Sequence, residues 1–475
     1  DLAQHEINGP AVLFDDIKGY SSGYRILSNT LGSATRTALL LQLPTGKSWK
    51  ELLPIWRAHS KEIPQSIPPV EVKDGPILEN IVSKSNVDLS IFPTPKWHEL
   101  DGGRYIGTGT VDIIKDPDSP WVNLGCYRVS VVDRKRVTLY ISPGKHGRVL
   151  REKYFAKGEA MPVVLVFGQD PAVFMAASLE VPWGTSELEY AGALKGEAIP
   201  VVRGRATGLP IPATAEIAVE GFIKPGETAP EGPFGEWTGY YASAQRGEPV
   251  MEVENLYYRN DPIIVGTPPY KPPAEFTAYR GLLRSALLWG QLEQAGVPDV
   301  TGVWCHEAGG ARLFVAVSIK ARYPGHSKQA AHVAAMCHAG AYLGRSVVVV
   351  DDDIDVTDMH DVIWAMGTRC DPDRDTDLIR RAWSGPLDPA IDPGNKFFNS
   401  RMIFDATRPW EWREKFPPVV EPSLETRSQV VKKWGEFILG AAQGPFLTAK
   451  KSSTKKGQKK MAARRATPRK RKRRK

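Results

Sequence analysis

Cysteine is scarce, with four residues in 475 (Cys126, Cys305, Cys337 and Cys370), widely separated and without a Cys-x-x-Cys pair. That excludes a disulfide framework and a zinc ribbon. No apolar run approaches the roughly 18–20 residues needed to cross a bilayer, and no basic-then-apolar leader opens the chain. Gly-rich phosphate loops are missing too: neither GxxxxGKS/T nor a GxGxxG after a strand occurs. Nothing repeats at a solenoid period. The chain opens on Asp1 rather than Met, which leaves its natural start open. The expectation is a soluble protein of a reducing compartment, the cytoplasm, with no membrane contact.

Basic residues without any acidic counterpart are concentrated at the C-terminal end. Residues 448–475 hold 15 Lys or Arg and no Asp or Glu, which leaves 47 basic against 54 acidic residues elsewhere. The whole chain is formally +8, yet everything before the tail sums to −7. A run such as PRKRKRRK cannot bury enough surface to offset chain entropy, so the tail reads as disordered. It could touch nucleic acid or anionic lipid, or simply solubilise the protein. No aromatics interleave its charges, so it is not a sequence-specific reader.

The 475 residues, 42% of them hydrophobic, suffice for two or three domains with their own cores. Residues 1–75 read as a small α/β region, with LLLQLP as a strand and SWKELLPIWRAHSKEI as a helix. Strand-length, β-branched segments follow: VTLYIS (137–142), PVVLVFG (162–168), AEIAVEGFI (215–223) and PIIVG (262–266). The stretch 103–268 is therefore expected to be mostly antiparallel β, a barrel or split barrel. At 275–296 the apolar spacing changes to three and four, which predicts a helix linking two domains. Beyond it LFVAVSI (313–319), the helical 327–344, SVVVV (346–350) and a helical pattern near 375–383 give α/β texture.

Two sets of residues carry possible chemistry. DDDIDV (351–356) follows a buried strand, with Asp358 and Asp361 beyond it. Carboxylates there can hold Mg²⁺ for phosphoryl transfer, or can cap the next helix. The other set is dispersed: Asn123 and Arg128 five apart in a β-rich stretch, His146 in a turn, Glu187 in GTSELEYAG, and Glu231 and Glu236 in APEGPFGEWTGYY. A neutral oxygen donor, an imidazole and a carboxylate suit a divalent ion with open positions. An Arg offers a fork for a substrate carboxylate, and two acids beside it can divide holding and proton transfer between them. Spacing alone does not join these residues into one site.

A resemblance joins them. The segment IKPGETAPEGPFGEWTGYY is similar to the signature of the UbiD-type decarboxylases, which depend on prenylated FMN. PAVLFDDIKGY, the Asn-Arg pair, PGKHG, SELEYAGALKGE, VVVVDDDIDVTDMHDVIWAMGTRCDPDRD and SRMIFDAT resemble further family segments in the same order, from about residue 10 to about residue 440. The basic tail lies outside it.

The resemblance implies a three-part α/β (α+β) fold. It comprises a 1–75 α/β region, a 76–274 split β-barrel holding the flavin, a 275–297 linking helix that could hinge, and a 298–447 α/β dimerisation domain before the 448–475 tail. It implies that Asn123, His146 and Glu187, rather than Glu189, hold a divalent ion, usually Mn²⁺, at the cofactor phosphate. K⁺ would lie near the carbonyls of 121–123 and around Ala177 and Ser178. Arg128, Glu231 and Glu236 would be the catalytic network, with Arg401 where the family often has a Lys meeting the phosphate. Lys145 would reach the cofactor and, with Arg280, Phe437 and Leu439, line the substrate pocket.

The implied reaction is reversible, non-oxidative decarboxylation through a covalent adduct with the prenylated flavin. Arg128 would orient the carboxylate, and Glu236 would protonate the carbon. Burial beside Trp237 is expected to raise the Glu236 pKa, opposed by Arg128. Two extra cations, Lys145 and Arg280, suit an aromatic or heteroaromatic acid with a second polar group better than a cinnamate- or ferulate-type acid. A homodimer or hexamer and a separate flavin prenyltransferase complete the expected partners. The resemblance makes 351–353 structural rather than a metal site. Two other readings stay distinct: a flavin-fold protein whose tail binds nucleic acid, and a Mg²⁺-dependent phosphotransferase using Asp351–Asp353.

Overall fold

A computed structural model describes residues 3, 9–61, 66–179, 181–392, 394 and 397–439. In it the segment MPVVLVF forms the strand Met161–Phe167, whose side chains enter two cores by turns. Val163, Leu165 and Phe167 join one cluster, and Val164 and Val166 join another. Successive strand residues point to opposite faces, and here both faces are covered, which is why the segment reads as one continuous apolar run.

That strand lies inside a nine-stranded antiparallel sheet that curls into a half-barrel. Its order is Arg104–Gly107, Arg128–Val131, Arg136–Tyr140, Arg246–Tyr258, Ile217–Glu231, Met161–Phe167, Thr110–Lys115 and Val122–Gly125, with Asn80–Ser83 also pairing on Arg246–Tyr258. The register sets Arg128 opposite Tyr140 and Glu231 opposite Arg246. Residues from four adjacent strands thus meet along one part of the sheet.

The linking helix Glu275–Gln294 serves two cores. Phe276, Tyr279, Leu282 and Leu283 pack with one face of the half-barrel, and Leu288 and Leu292 pack into the core of the C-terminal region. Its first residue, Glu275, is buried and accepts hydrogen bonds from Asn29 N (3.1 Å), Leu31 N (2.7 Å) and Thr30 Oγ1 (2.7 Å). One carboxylate therefore anchors the N-terminal region to the linking helix.

The C-terminal region is a five-stranded mixed sheet in the order Val300–Cys305, Phe314–Ile319, Ser346–Asp351, Phe398–Ala406 and Thr376–Trp383. It belongs to one compact unit that runs to Glu411, whereas the described residues from Trp412 onward, with the helix Leu424–Leu439, fall in a second unit. Among the described residues no helix is long and apolar enough to cross a membrane. The basic tail 448–475 lies outside the described residues.

Two local expectations fail. The residues of LLLQLP do not form a strand: Leu39 and Leu40 end the helix Ala34–Leu40. Ser33 caps that helix by accepting from Arg36 N, and Ala34, Thr37 and Ala38 are buried at helical spacing. The pattern near 375–383 is not helical either but the edge strand Thr376–Trp383, paired antiparallel with Phe398–Ala406. A register shift between Ile379 and Ala382 breaks its alternation, which hid the strand period. The helix of that region lies earlier, at Met359–Arg369, capped by Asp358.

Replacing Glu275 leaves two buried backbone N–H groups without an acceptor, at a cost of about 1–3 kcal/mol each. Glu275→Ala is expected to lower Tm by several degrees in a thermal melt, with Glu275→Gln intermediate. An unchanged Tm in Glu275→Ala would refute the anchoring role.

Candidate active site

Asn123 lies in the strand Val122–Gly125, and Arg128 begins the next strand, Arg128–Val131. The connection between them is tight: a Cβ on Gly125 would sit 2.3 Å from the Tyr127 ring. Tyr127 is pinned from both sides, its N–H donating to Asp112 Oδ2 (2.6 Å) and its hydroxyl accepting from Gly147 N (3.1 Å). Gly147 belongs to the helix His146–Ala156, so this linkage fixes the turn that carries His146 against the strands.

The Arg128 guanidinium is the most heavily used polar group of the region. Its Nε and Nη2 donate to the two carboxylate oxygens of Glu231 at 2.7 and 3.0 Å, and its Nη1 donates to Glu236 Oε1. Tyr105 hydroxyl donates to Glu231 Oε1 at 2.9 Å. Aromatic faces complete the enclosure, with the guanidinium carbon 4.3 Å from the Tyr140 ring centroid and 5.1 Å from that of Phe234. Arg128, Glu231 and Glu236 are all buried.

Burial raises the Glu236 pKa above the usual glutamate value, against the opposing pull of Arg128. Burial alone would weaken the charged form of Arg128, but Glu236 and Glu231 more than reverse this, and the guanidinium stays ionised. The loop carrying Glu236 is held by Asp101, whose Oδ1 accepts from Gly235 N (3.1 Å) and whose Oδ2 accepts from His98 N (2.9 Å).

Glu187 opens the helix Glu187–Lys195 and is 2% exposed. It accepts from Asn123 Nδ2 (2.8 Å) and Leu124 N (2.7 Å), and burial pushes its pKa up to about 7. Asn123 Oδ1, also buried, has no hydrogen-bond partner. The His146 ring stands edge-on to Trp121 (5.6 Å) and Trp183 (5.1 Å). Trp121 Nε1 donates to Thr185 O, tying the strand to the loop before Glu187. No three His, Cys, Asp or Glu side chains cluster as a metal site among the described residues; in the set read from the sequence the third ligand is an amide.

These residues face one cavity of about 480 Å³, within the range of small-molecule sites. Asn123, Arg128, Lys145, His146, Glu187 and Glu236 line it, as do Ala177, Ser178 and Arg280. Glu231 stands behind Arg128, outside the lining. The C-terminal region closes the other side with Arg312, His338, Tyr342 and Trp383.

Arg401 is elsewhere. It is fully buried, and its guanidinium donates to the carbonyls of Ala335, Gly340, Ala341 and Trp383, so it binds its own domain together and does not line the cavity. Phe437 and Leu439 lie in the helix Leu424–Leu439, and their side chains are outside the described residues. Tyr105, Tyr140, Phe234, Asp101 and Arg312 were not singled out from the sequence. Strand register and the close of the C-terminal region bring them in, and neither is visible in local spacing.

The acidic run at 351–356 is occupied by cations of its own fold. Asp353 receives Arg369 at 2.9 and 2.8 Å and also Arg408, while Asp351 Oδ2 accepts from Arg408 N (2.7 Å) and Arg369 (3.3 Å). Lys50 pairs with Asp355. Burial would raise the Asp353 pKa, but Arg369 and Arg408 hold it below the usual value.

Family models for the N-terminal, Rift-related and C-terminal domains of 3-octaprenyl-4-hydroxybenzoate carboxy-lyase match residues 2–56, 69–272 and 278–406. The chain belongs to this family, the UbiD carboxy-lyases, and is an enzyme of that class. Pyrrole-2-carboxylic acid decarboxylase of Pseudomonas aeruginosa is 31% identical over 465 residues, covering 92% of each chain. The vanillic acid decarboxylase of Sedimentibacter hydroxybenzoicus in closed form is 31% identical, with a TM-score of 0.79 over 90% of each chain. The UbiD-class enzyme HmfF of Pelotomaculum thermopropionicum, solved with FMN, is 30% identical, with a TM-score of 0.77 over 88% of this chain and 89% of its own.

If the acidic run is structural, Asp353→Asn should lower Tm by several degrees and leave kcat within about twofold, because the substitution touches no cavity residue. Loss of turnover at unchanged Tm would reinstate it as a functional site.

Proposed function

We propose that the protein is a reversible, non-oxidative decarboxylase of an aromatic or heteroaromatic carboxylic acid that works with prenylated FMN. One observation carries the reading: a buried arginine held in a fork by one glutamate and shared with a second, at the wall of a ligand-sized cavity in a UbiD-family chain. Its relatives' substrates, pyrrole-2-carboxylic acid and vanillic acid, and the flavins bound by HmfF support the substrate class and the cofactor.

The residues present fit the cofactor's phosphate end. Asn123 Oδ1 is a buried acceptor lacking a partner, which a divalent cation satisfies. Glu187 supplies a carboxylate beside it, and His146 an imidazole on the same cavity wall. We assign Mn²⁺ to these three and K⁺ to carbonyls near 121–123 and around Ala177 and Ser178. The helices opening at His146 and Glu187 direct their N-termini, which favour anions, to the same end. A homodimer and a separate prenyltransferase that supplies the cofactor belong to the same proposal.

Prenylated flavin, when bound, supplies the electron sink that an sp² carbon requires as CO₂ departs. The protein's part is orientation and proton supply. Arg128 holds the substrate carboxylate, and Glu231 and Tyr105 fix the plane of its guanidinium. As the carbon–carboxylate bond breaks, the electron pair stays with the organic fragment, and Glu236 as an acid delivers a proton to that carbon.

Charge balance puts the proton there. Arg128 brings one positive charge against two carboxylates, and the substrate brings a third, so one proton on the cluster relieves the excess. Glu236, whose burial already favours the neutral form, is the group that takes it. Carboxylation at high CO₂ follows by reversal of the same steps.

The protein co-expressed with a flavin prenyltransferase is expected to release CO₂ from at least one of pyrrole-2-carboxylate, vanillate and 3,4-dihydroxybenzoate. Glu236→Gln should retain flavin and Mn²⁺ but lose turnover by about 10²-fold or more; full decarboxylation by that variant would remove the assigned role. The donor must be protonated, so kcat should fall as pH rises through the Glu236 pKa, and this limb should lie above the ordinary glutamate range. A limb at the ordinary value would contradict the burial argument.

A further inference from the structure

Arg246 opens the strand Arg246–Tyr258, opposite Glu231 in the register, and lies outside the cavity lining. Its guanidinium carbon is 4.1 Å from the centroid of the Tyr140 ring. Arg128 approaches the same ring at 4.3 Å. One buried phenol ring at the cavity wall therefore carries two guanidinium groups. Two like charges on one ring repel unless carboxylates balance them. Arg128 has Glu231 and Glu236, and Arg246 has Glu248, a buried carboxylate whose Oε1 accepts from Arg246 Nε at 2.5 Å. Arg246 Nη2 is buried without a hydrogen-bond partner. Leaving that N–H unpaired is costly, so the position of this guanidinium serves its stacking on Tyr140 rather than its own hydrogen bonding.

Arg246 and Glu248 sum to zero charge, so the pair adds none to the cluster, but it has a direction. Arg246 is the member stacked on the ring that Arg128 uses, and its charge reaches Glu236. Arg128 and Arg246 favour the carboxylate form of Glu236, whereas burial and Glu231 favour the acid form. Tyr105 stands behind Glu231, and His98 and Asp101 lie against Gly235. Lys145, His146, Glu187, Arg280, Arg312 and His338 complete the titratable and charged groups on the other walls of the cavity.

We propose that the Arg246–Glu248 pair is a positioning device for proton delivery. Its positive end backs the Tyr140 ring against Arg128 and eases departure of the Glu236 proton, whose O–H bond breaks as the C–H bond forms on the carbon that has lost CO₂. Glu248 limits that pull, so Glu236 remains an acid until the carbon accepts. The assignment rests on the reading of Glu236 as the proton donor.

Removing charge at the two ends of the pair has opposite consequences. Arg246→Gln takes away the positive end, and Glu236 should hold its proton more tightly by roughly three- to tenfold. Glu248→Gln keeps an oxygen acceptor for Arg246 Nε but takes away the negative end, and Glu236 should release its proton more readily by a similar factor. Arg246→Lys keeps the charge and should stay within about twofold of wild type. Every other charged group around Glu236 is common to these variants, and simple damage to packing has no reason to act in opposite directions.

The measurement is infrared difference titration of the full-length, substrate-free protein, read at the carboxylic-acid band that Glu236→Gln lacks; it needs neither turnover nor bound flavin. The midpoint is expected at higher pH in Arg246→Gln, at lower pH in Glu248→Gln and near wild type in Arg246→Lys. In the flavin-loaded enzyme the falling limb of kcat should follow the same order. Midpoints that coincide in all variants, or that move the same way in Arg246→Gln and Glu248→Gln, would overturn the proposal. Absence of CO₂ release from every acid tested would strike the function reading instead, and the midpoints would still decide this one.

Discussion

One guanidinium organises the site. Arg128 satisfies both oxygens of Glu231 and one of Glu236, with Tyr105 on Glu231 and two aromatic rings around the charge. A buried cation facing two carboxylates is short of positive charge, and low dielectric makes that deficit costly. In the proposed mechanism, the proton that relieves it is the one delivered to the carbon. On that proposal, catalytic competence is tied to the arrangement that keeps the cluster electrically tolerable.

The fold exists, in this view, to hold that cluster rigidly at the edge of a cavity. Arg128 and Glu231 come from different strands of one sheet, joined by the register that pairs Arg128 with Tyr140 and Glu231 with Arg246. Glu236 comes from a loop anchored by Asp101. The opposite end of the cavity is built by helix starts that carry His146 and Glu187, locked to the strands through Tyr127 and Trp121. The linking helix joins the cores on either side, with Glu275 as its tether to the N-terminal region.

Much of this was legible in the residues. The β-branched runs announced the antiparallel sheet, and the change of period at 275 announced the linking helix. Asn123, Arg128, His146, Glu187 and Glu236 were named before any geometry, although resemblance, not spacing, united them. Local pattern failed where tertiary pairing overrode it, as at the bulged edge strand Thr376–Trp383 and the capped helix ending at Leu40. Arg401 shows the same limit in a side chain. Its sequence neighbourhood matches the family, but its guanidinium is consumed by four backbone carbonyls within its own domain. Tyr105 and Arg312 carry no local signal, because only the folded register brings Tyr105 onto Glu231 and only the closing domain brings Arg312 to the cavity.

The most direct measurement of the central claim is infrared difference spectroscopy of the flavin-loaded enzyme with an unreactive aromatic carboxylate bound, wild type against Glu236→Gln. The account predicts a protonated carboxylic-acid band at neutral pH that belongs to Glu236 and disappears in the variant. Glu236 found ionised throughout, with no such band in the complex, would contradict it.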